Sequence, residues 1–231
     1  MVVALGLAVA LVALLRGGDD DGGTATNASP TVSAANDEAA RAEAHTLAAA
    51  VALDAPDWGS GYKRAEEYET DPAPEWEVKS TCEGFAQSSR AGTLAAIGRA
   101  VTHPVSGLIS TTEVRVFADA ATAESYLNDV ESGTRRCPEQ HSGKTRWAGV
   151  RQATAPEVAG FDAIVAEDGR QVSDADGQTT DYPYVVYTGR SGATTLAVID
   201  YEAPDGVPAR LAERATGILK KLQQRLETES P

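Results

Sequence analysis

Cysteine, aromatics and positive charge are all scarce in this 231-residue chain. It has 2 Cys, 1 Met, 3 Trp, 3 Phe and 7 Tyr, and a formal charge of −14. Two cysteines are too few for a small disulfide scaffold. The charge argues against nucleic-acid binding, because phosphate contact needs a basic surface. Aromatic residues make up 6%, so the core must come mainly from Ala, Val, Leu and Ile. No G-x-S-x-G elbow, P-loop or G-x-G-x-x-G signature occurs, and His45, His103 and His141 stand far apart without a metal-binding spacing. These absences leave no catalytic motif, no metal signature and no cofactor signature, and the chain reads as a non-enzyme.

What is present is an ordinary globular mixture, 42% hydrophobic and 23% charged, preceded by an unusual start. Met1 to Leu15 carry no polar side chain, and Arg16 is followed by Gly-Gly-Asp-Asp-Asp-Gly-Gly. Fifteen helical residues reach about 22 Å, short of the roughly 30 Å hydrocarbon layer. A signal peptide would add a basic region before this run and a small-residue cleavage site soon after it, and neither is present. The expectation is a single-pass membrane anchor over residues 1–16 whose cytoplasmic basic end is missing from this chain. Asp19 to Asp21 place the C-terminal side outside the cytoplasm. Residues 17–35, rich in Gly, Asp, Ser and Thr, read as a flexible tether.

From residue 36 to 228 the pattern predicts one α+β domain: a curved antiparallel sheet with helices packed on one face. An Ala-rich helix starts at Asn36 or Asp37 and stops near Asp54-Ala55-Pro56. Trp58 to Lys79 reads as loop and short turns. Strands are expected at Thr93 to Val101, Gly107 to Phe117, Arg146 to Gln152, Phe161 to Ala166, Tyr182 to Thr188 and Thr194 to Tyr201. Asp119 caps a middle helix that stops near Gly133, and a last helix starts near Pro208. Turn chemistry falls at Glu167-Asp168-Gly169, at Asp174-Ala175-Asp176-Gly177 and at Gly189 to Gly192. The second of these lacks the glycine and glutamate positions of a calcium loop and reads as a hairpin tip.

An oxidising compartment pairs lone thiols, so Cys82 and Cys137 are expected to form a disulfide. Closing so long a loop contributes roughly 4 kcal/mol in the chain-entropy model. The most suggestive segment for binding is Asp181 to Tyr187, where Tyr182 and Tyr184 alternate with Val185 and Tyr187. With Arg115 on the same sheet face they would suit a pocket for an amphipathic or anionic small molecule. A Tyr-rich strand buried beneath helices explains the same pattern, and both readings stay open here.

Thr112 to Gln140 runs from a strand ending in Val-Phe through an Ala-rich helix with a central aromatic to a following Cys. This order resembles the PknH-like extracellular sensor domain of actinobacterial membrane-anchored proteins, lipoproteins and receptor kinases. The resemblance implies an antiparallel sheet with helices on one side and a cleft for an unidentified ligand, over about residues 80 to 228. Members often carry two disulfides. This chain has cysteines for one, with Cys137 matching the Cys after the helix, and it has neither a lipobox Cys nor a kinase motif. The expected function is therefore a membrane-anchored, extracytoplasmic ligand-binding or sensor-like domain. An envelope structural or protein-interaction module is the alternative, and a hydrolase of envelope polymers ranks behind both.

Overall fold

The computed structural model describes residues 32–88, 90–175, 178–204 and 206–230. The expected anchor and most of the tether fall outside these residues, as do Asp176, Gly177 and Asp205. Among the described residues no helix is long and apolar enough to cross a membrane.

Eight strands form one antiparallel sheet in the order β1-β4-β5-β10-β9-β8-β7-β6. They are β1 (Lys63–Thr70), β4 (Thr93–Thr102), β5 (Ile109–Phe117), β6 (Glu139–Ser142), β7 (Thr145–Gln152), β8 (Ala163–Ala175), β9 (Gln178–Ser191) and β10 (Thr194–Tyr201). A separate hairpin pairs β2 (Glu75–Val78) with β3 (Phe85–Ser88). Four helices complete the chain: α1 (Val32–Val51), α2 (Ala55–Trp58), α3 (Ala120–Arg136) and α4 (Pro208–Glu229).

Alternation along the strands sorts the two faces. On one face Ile97, Val114, Leu196, Val198, Val185 and Tyr187 form the main core with Ala48 and Val51 of α1 and with Leu211, Ala215, Ile218 and Leu222 of α4. The i, i+4, i+7, i+11 spacing in α4 is the apolar stripe expected from the sequence. The opposite face carries α3, whose Thr134 bonds Glu167 of β8 and whose Tyr126 packs on Phe117 of β5. Helices therefore cover both faces, which corrects the one-sided arrangement expected from the sequence. Ala123 and Leu127 of the α3 stripe are buried on that side, and the stripe alone could have packed on either face.

Local chemistry explains several boundaries. Asp54 caps α2 in a capping box with Asp57, and Pro56 occupies its first turn, so the chain breaks after α1 and restarts. Arg64 of β1 donates from Nε to Asp54 Oδ1 at 2.9 Å, which holds that carboxyl well below the usual carboxylate range. The Trp58 to Lys79 segment is consequently ordered as α2, β1 and β2, where loop was expected. α1 begins at Val32, ahead of the expected Asn36 or Asp37 cap and inside the segment read as tether. Asp119 caps α3 by accepting from the Thr122 amide at 2.7 Å. α3 then runs through Gly133 to Arg136.

The turn expected at Glu167-Asp168-Gly169 is the middle of β8, in register with Tyr184 to Val186 of β9. Gly169 is there for space: a Cβ would stand 2.9 Å from Cε1 of Tyr184. Gly189 similarly admits the ring of Phe161. Cys82 and Cys137 form the expected disulfide, with Cα atoms 5.5 Å apart and a sequence separation of 55. It fastens the chain between β2 and β3 to the end of α3, and His141 of β6 donates its amide to Cys82 O at 3.1 Å beside it.

Candidate functional site

Arg115, Tyr182 and Tyr184 do share the sheet face that α3 covers. Arg115 pairs in register with Thr195, and Thr195 with Arg190, six residues along β9 from Tyr184. At about 3.3 Å per residue this puts Arg115 and Tyr184 about 20 Å apart along the strands, so they do not converge. Arg115 is 3% exposed, paired with Glu113, donating to Pro74 O, and 5.5 Å from the Tyr126 ring. Arg90 approaches the same ring at 5.7 Å and bonds Glu75 at 2.9 Å and Asp129 at 2.7 Å. These groups clamp the β2–β3 hairpin onto α3. Tyr184 is 3% exposed, while Tyr182 lies half-buried farther along β9, beside Gln171 of β8.

Beneath α3, Tyr184 donates its hydroxyl to Glu167 Oε1 at 2.8 Å. The Thr134 hydroxyl lies 2.6 Å from Glu167 Oε2 and 3.2 Å from Val130 O. One hydroxyl proton cannot serve both acceptors. A protonated Glu167 resolves this, because it donates from Oε2 to Thr134, which donates to Val130, while Oε1 accepts from Tyr184. Burial pushes the Glu167 carboxyl up in the same sense. The cluster is closed and fully used by the fold.

On the other face, at the end where α4 begins, Asp200 is fully buried and accepts from Ser110 Oγ at 2.5 Å and from Arg214 Nε at 2.7 Å. Arg214 also donates to Glu202 and to Tyr201 O. This network joins β5, β10 and α4. His103 stacks edge-on against Tyr62 with centroids 5.2 Å apart, and burial with the nearby Arg214 lowers its pKa. Among the described residues no group of three His, Cys, Asp or Glu side chains is arranged to hold a metal ion.

The open concave surface lies elsewhere. The β7–β8 connection, residues 153–162, is pinned at its ends by Ala153 N to Ala166 O and Asp162 N to Arg190 O. Between those pins it is tied to α4 as well, where Gln223 donates from Nε2 to Gly160 O at 3.0 Å. One hollow of about 440 Å³ runs between Thr154 to Pro156 and the α4 residues Ala212, Thr216, Gly217 and Lys220, with Tyr187 as its floor. A second, of about 610 Å³, lies along Pro156, Glu157, Val158, Phe161 and Ile164, with no residue of α4 in its lining. Both hollows are shallow and open to solvent.

Gly217 opens the α4 side of this groove. Its backbone is ordinary helix, and a Cβ there would meet nothing within 4 Å. Neither strain nor packing requires glycine, although it weakens a helix interior by about 1 kcal/mol relative to Ala. Its effect is a bare wall. Sequence reading missed this site. The available signals were a glycine inside a well-formed amphipathic helix and an apolar connection, Ala153 to Phe161, between two strands.

Comparison with known proteins comes down to the fold. No family model matches the sequence, and no curated protein matches it. Among solved structures, the crystal structure of the extracellular domain of PknH from Mycobacterium tuberculosis is similar, with a TM-score of 0.54 and 13% sequence identity. The similarity covers 80% of this chain and 97% of that one, so the two share a fold.

Proposed function

We propose that this chain is a non-catalytic, ligand-binding sensor-like domain held outside the cytoplasm by its N-terminal apolar segment. The hollow between Thr154 to Pro156 and α4 carries the reading, because apolar surface and the bare helix wall at Gly217 coincide there. The disulfide supports an oxidising compartment. The shared fold with the extracellular domain of PknH supports a sensor-type scaffold.

Arg115 and Tyr184 serve this domain as internal braces, and Tyr182 remains a half-exposed contact at the sheet margin. The competing reading, a protein-interaction module of the envelope, draws on Val105, 90% exposed in the β4–β5 connection, and on Val207 at the start of α4. Native mass spectrometry of the full chain released from its host membranes separates the two. A co-purifying small molecule is expected, and repeated recovery of bare chain together with a stoichiometric protein partner would favour the module.

A further inference from the structure

The β4–β5 connection, residues 103–108, is built around the side chain of its first residue. His103 Nδ1 accepts from the amides of Val105 and Ser106, both at 3.2 Å, much as an Asn or Asp oxygen does in a turn. A ring nitrogen that accepts two amide protons carries none of its own, so the imidazole is neutral with its proton on Nε2. The main chain closes around the same ring, with His103 N donating to Leu108 O at 2.8 Å and Gly107 N to His103 O at 3.1 Å. Tyr62, just before β1, stands edge-on to the imidazole. The charges that face it are Asp200 of β10, Glu202 just beyond that strand and Arg214 of α4. Arg214 opposes a positive ring while the two carboxylates favour one, but both carboxylates are already engaged by Arg214 itself. Burial and Arg214 prevail, and the pKa of His103 lies below its ordinary value.

We propose that His103 is an acid-operated latch: a proton taken from solvent at Nδ1 turns the acceptor into a donor, releases the Val105 and Ser106 amides and frees the turn that presents Val105. The pairing of Thr102 with Ile109 lies outside the latch, so the release is confined to the connection. Val105 is 90% exposed at its apex, and any contact made through that side chain near neutral pH is loosened in acid. The direction follows from the depressed folded value. The latch contributes fully above the ordinary histidine value of 6.5, and its contribution is lost as pH falls through the folded pKa. This device is independent of the hollow beside α4 and holds whether or not that hollow takes a ligand.

The test is nuclear magnetic resonance of the full chain in detergent micelles between about pH 7.5 and about pH 4.5, beside His103→Asn. The Asn oxygen takes the place of Nδ1 and accepts the same amides without titrating. At neutral pH the ring nitrogens of His103 should show the Nε2–H tautomer. On acidification, exchange of the Val105 and Ser106 amides in wild type should rise roughly tenfold relative to His103→Asn at the same pH, the worth of two neutral hydrogen bonds. His45, His141 and Glu167 are present in both chains, so the difference reports His103 alone. An Nδ1–H tautomer at neutral pH overturns the latch. Equal exchange in the two chains throughout the range overturns it as well. Should His103→Asn fail to fold, the tautomer and the acid response of the two amides in wild type decide the matter: the Nε2–H form with faster exchange at both amides below the His103 transition supports the latch, and either result alone overturns it.

Discussion

The Thr134 hydroxyl stands 2.6 Å from Oε2 of Glu167 and joins the last turns of α3 to the middle of β8. Its second acceptor, Val130 O, makes a neutral Glu167 the better fit, and burial raises that carboxyl above its ordinary value of 4.5. The folded chain therefore holds this proton at pH values where the unfolded chain has released it. The contribution is fully present below about pH 4.5 and is lost as pH rises through the folded pKa. Glu167→Gln mimics the neutral acid, with its amide donating to Thr134 and its carbonyl accepting from Tyr184. Its melting temperature should match wild type near pH 4 and exceed it progressively up to pH 8. A pH-independent difference would contradict a neutral Glu167. Asp54, Asp119, Glu131 and Glu202, all held below the usual carboxylate range, push total stability the other way, so the comparison between variants is the informative quantity.

Asp200 has no exposed surface and accepts from both Ser110 and Arg214. Asp200→Ala leaves a half-buried guanidinium without its main partner and should destabilise the fold by about 3–5 kcal/mol in denaturant unfolding. Asp200→Asn retains an acceptor and should lose less. Equal losses would show that the carboxylate charge, and not shape or a neutral acceptor, holds the start of α4.

The Cys82–Cys137 bridge closes a 55-residue separation and pins the hairpin side of the chain to the end of α3. Replacing both cysteines by Ala should lower the unfolding free energy by roughly 2–4 kcal/mol without changing the far-ultraviolet circular dichroism of the folded state. Exported protein should show no free thiol by mass spectrometry under non-reducing conditions.

Gly217→Ala fills open space on a regular helix, so it should stabilise the chain by about 1 kcal/mol in denaturant unfolding. A neutral or destabilising result would mean that Gly217 has a structural role the open groove does not explain.

The α4 stripe, the Asp119 cap and the strands that carry Val114 and Val198 were legible in the sequence because each rests on a local period or a single capping residue. The length of β8 was not. Glu167 and Gly169 carry turn chemistry, and only the packing of Tyr184 and α3 against them makes that stretch a strand. The placement of α3 opposite α1 and α4 was hidden for a similar reason, since an apolar stripe specifies that a helix packs and not on which side of a sheet. Tyr182 and Tyr184 were correctly assigned the same face as Arg115, but the 20 Å offset between Arg115 and Tyr184 depends on register, which alternation alone does not set. The groove was hidden because it is formed by a loop and a helix some sixty residues apart in sequence.

Hydrogen–deuterium exchange of the full chain, with and without a small-molecule extract of its host, tests the ligand-binding groove most directly. Slower exchange is predicted at the amides of residues 155 and 157–161, and it should vanish in Gly217→Trp. Unchanged exchange there, or protection confined to the β4–β5 connection around Val105, would contradict the account.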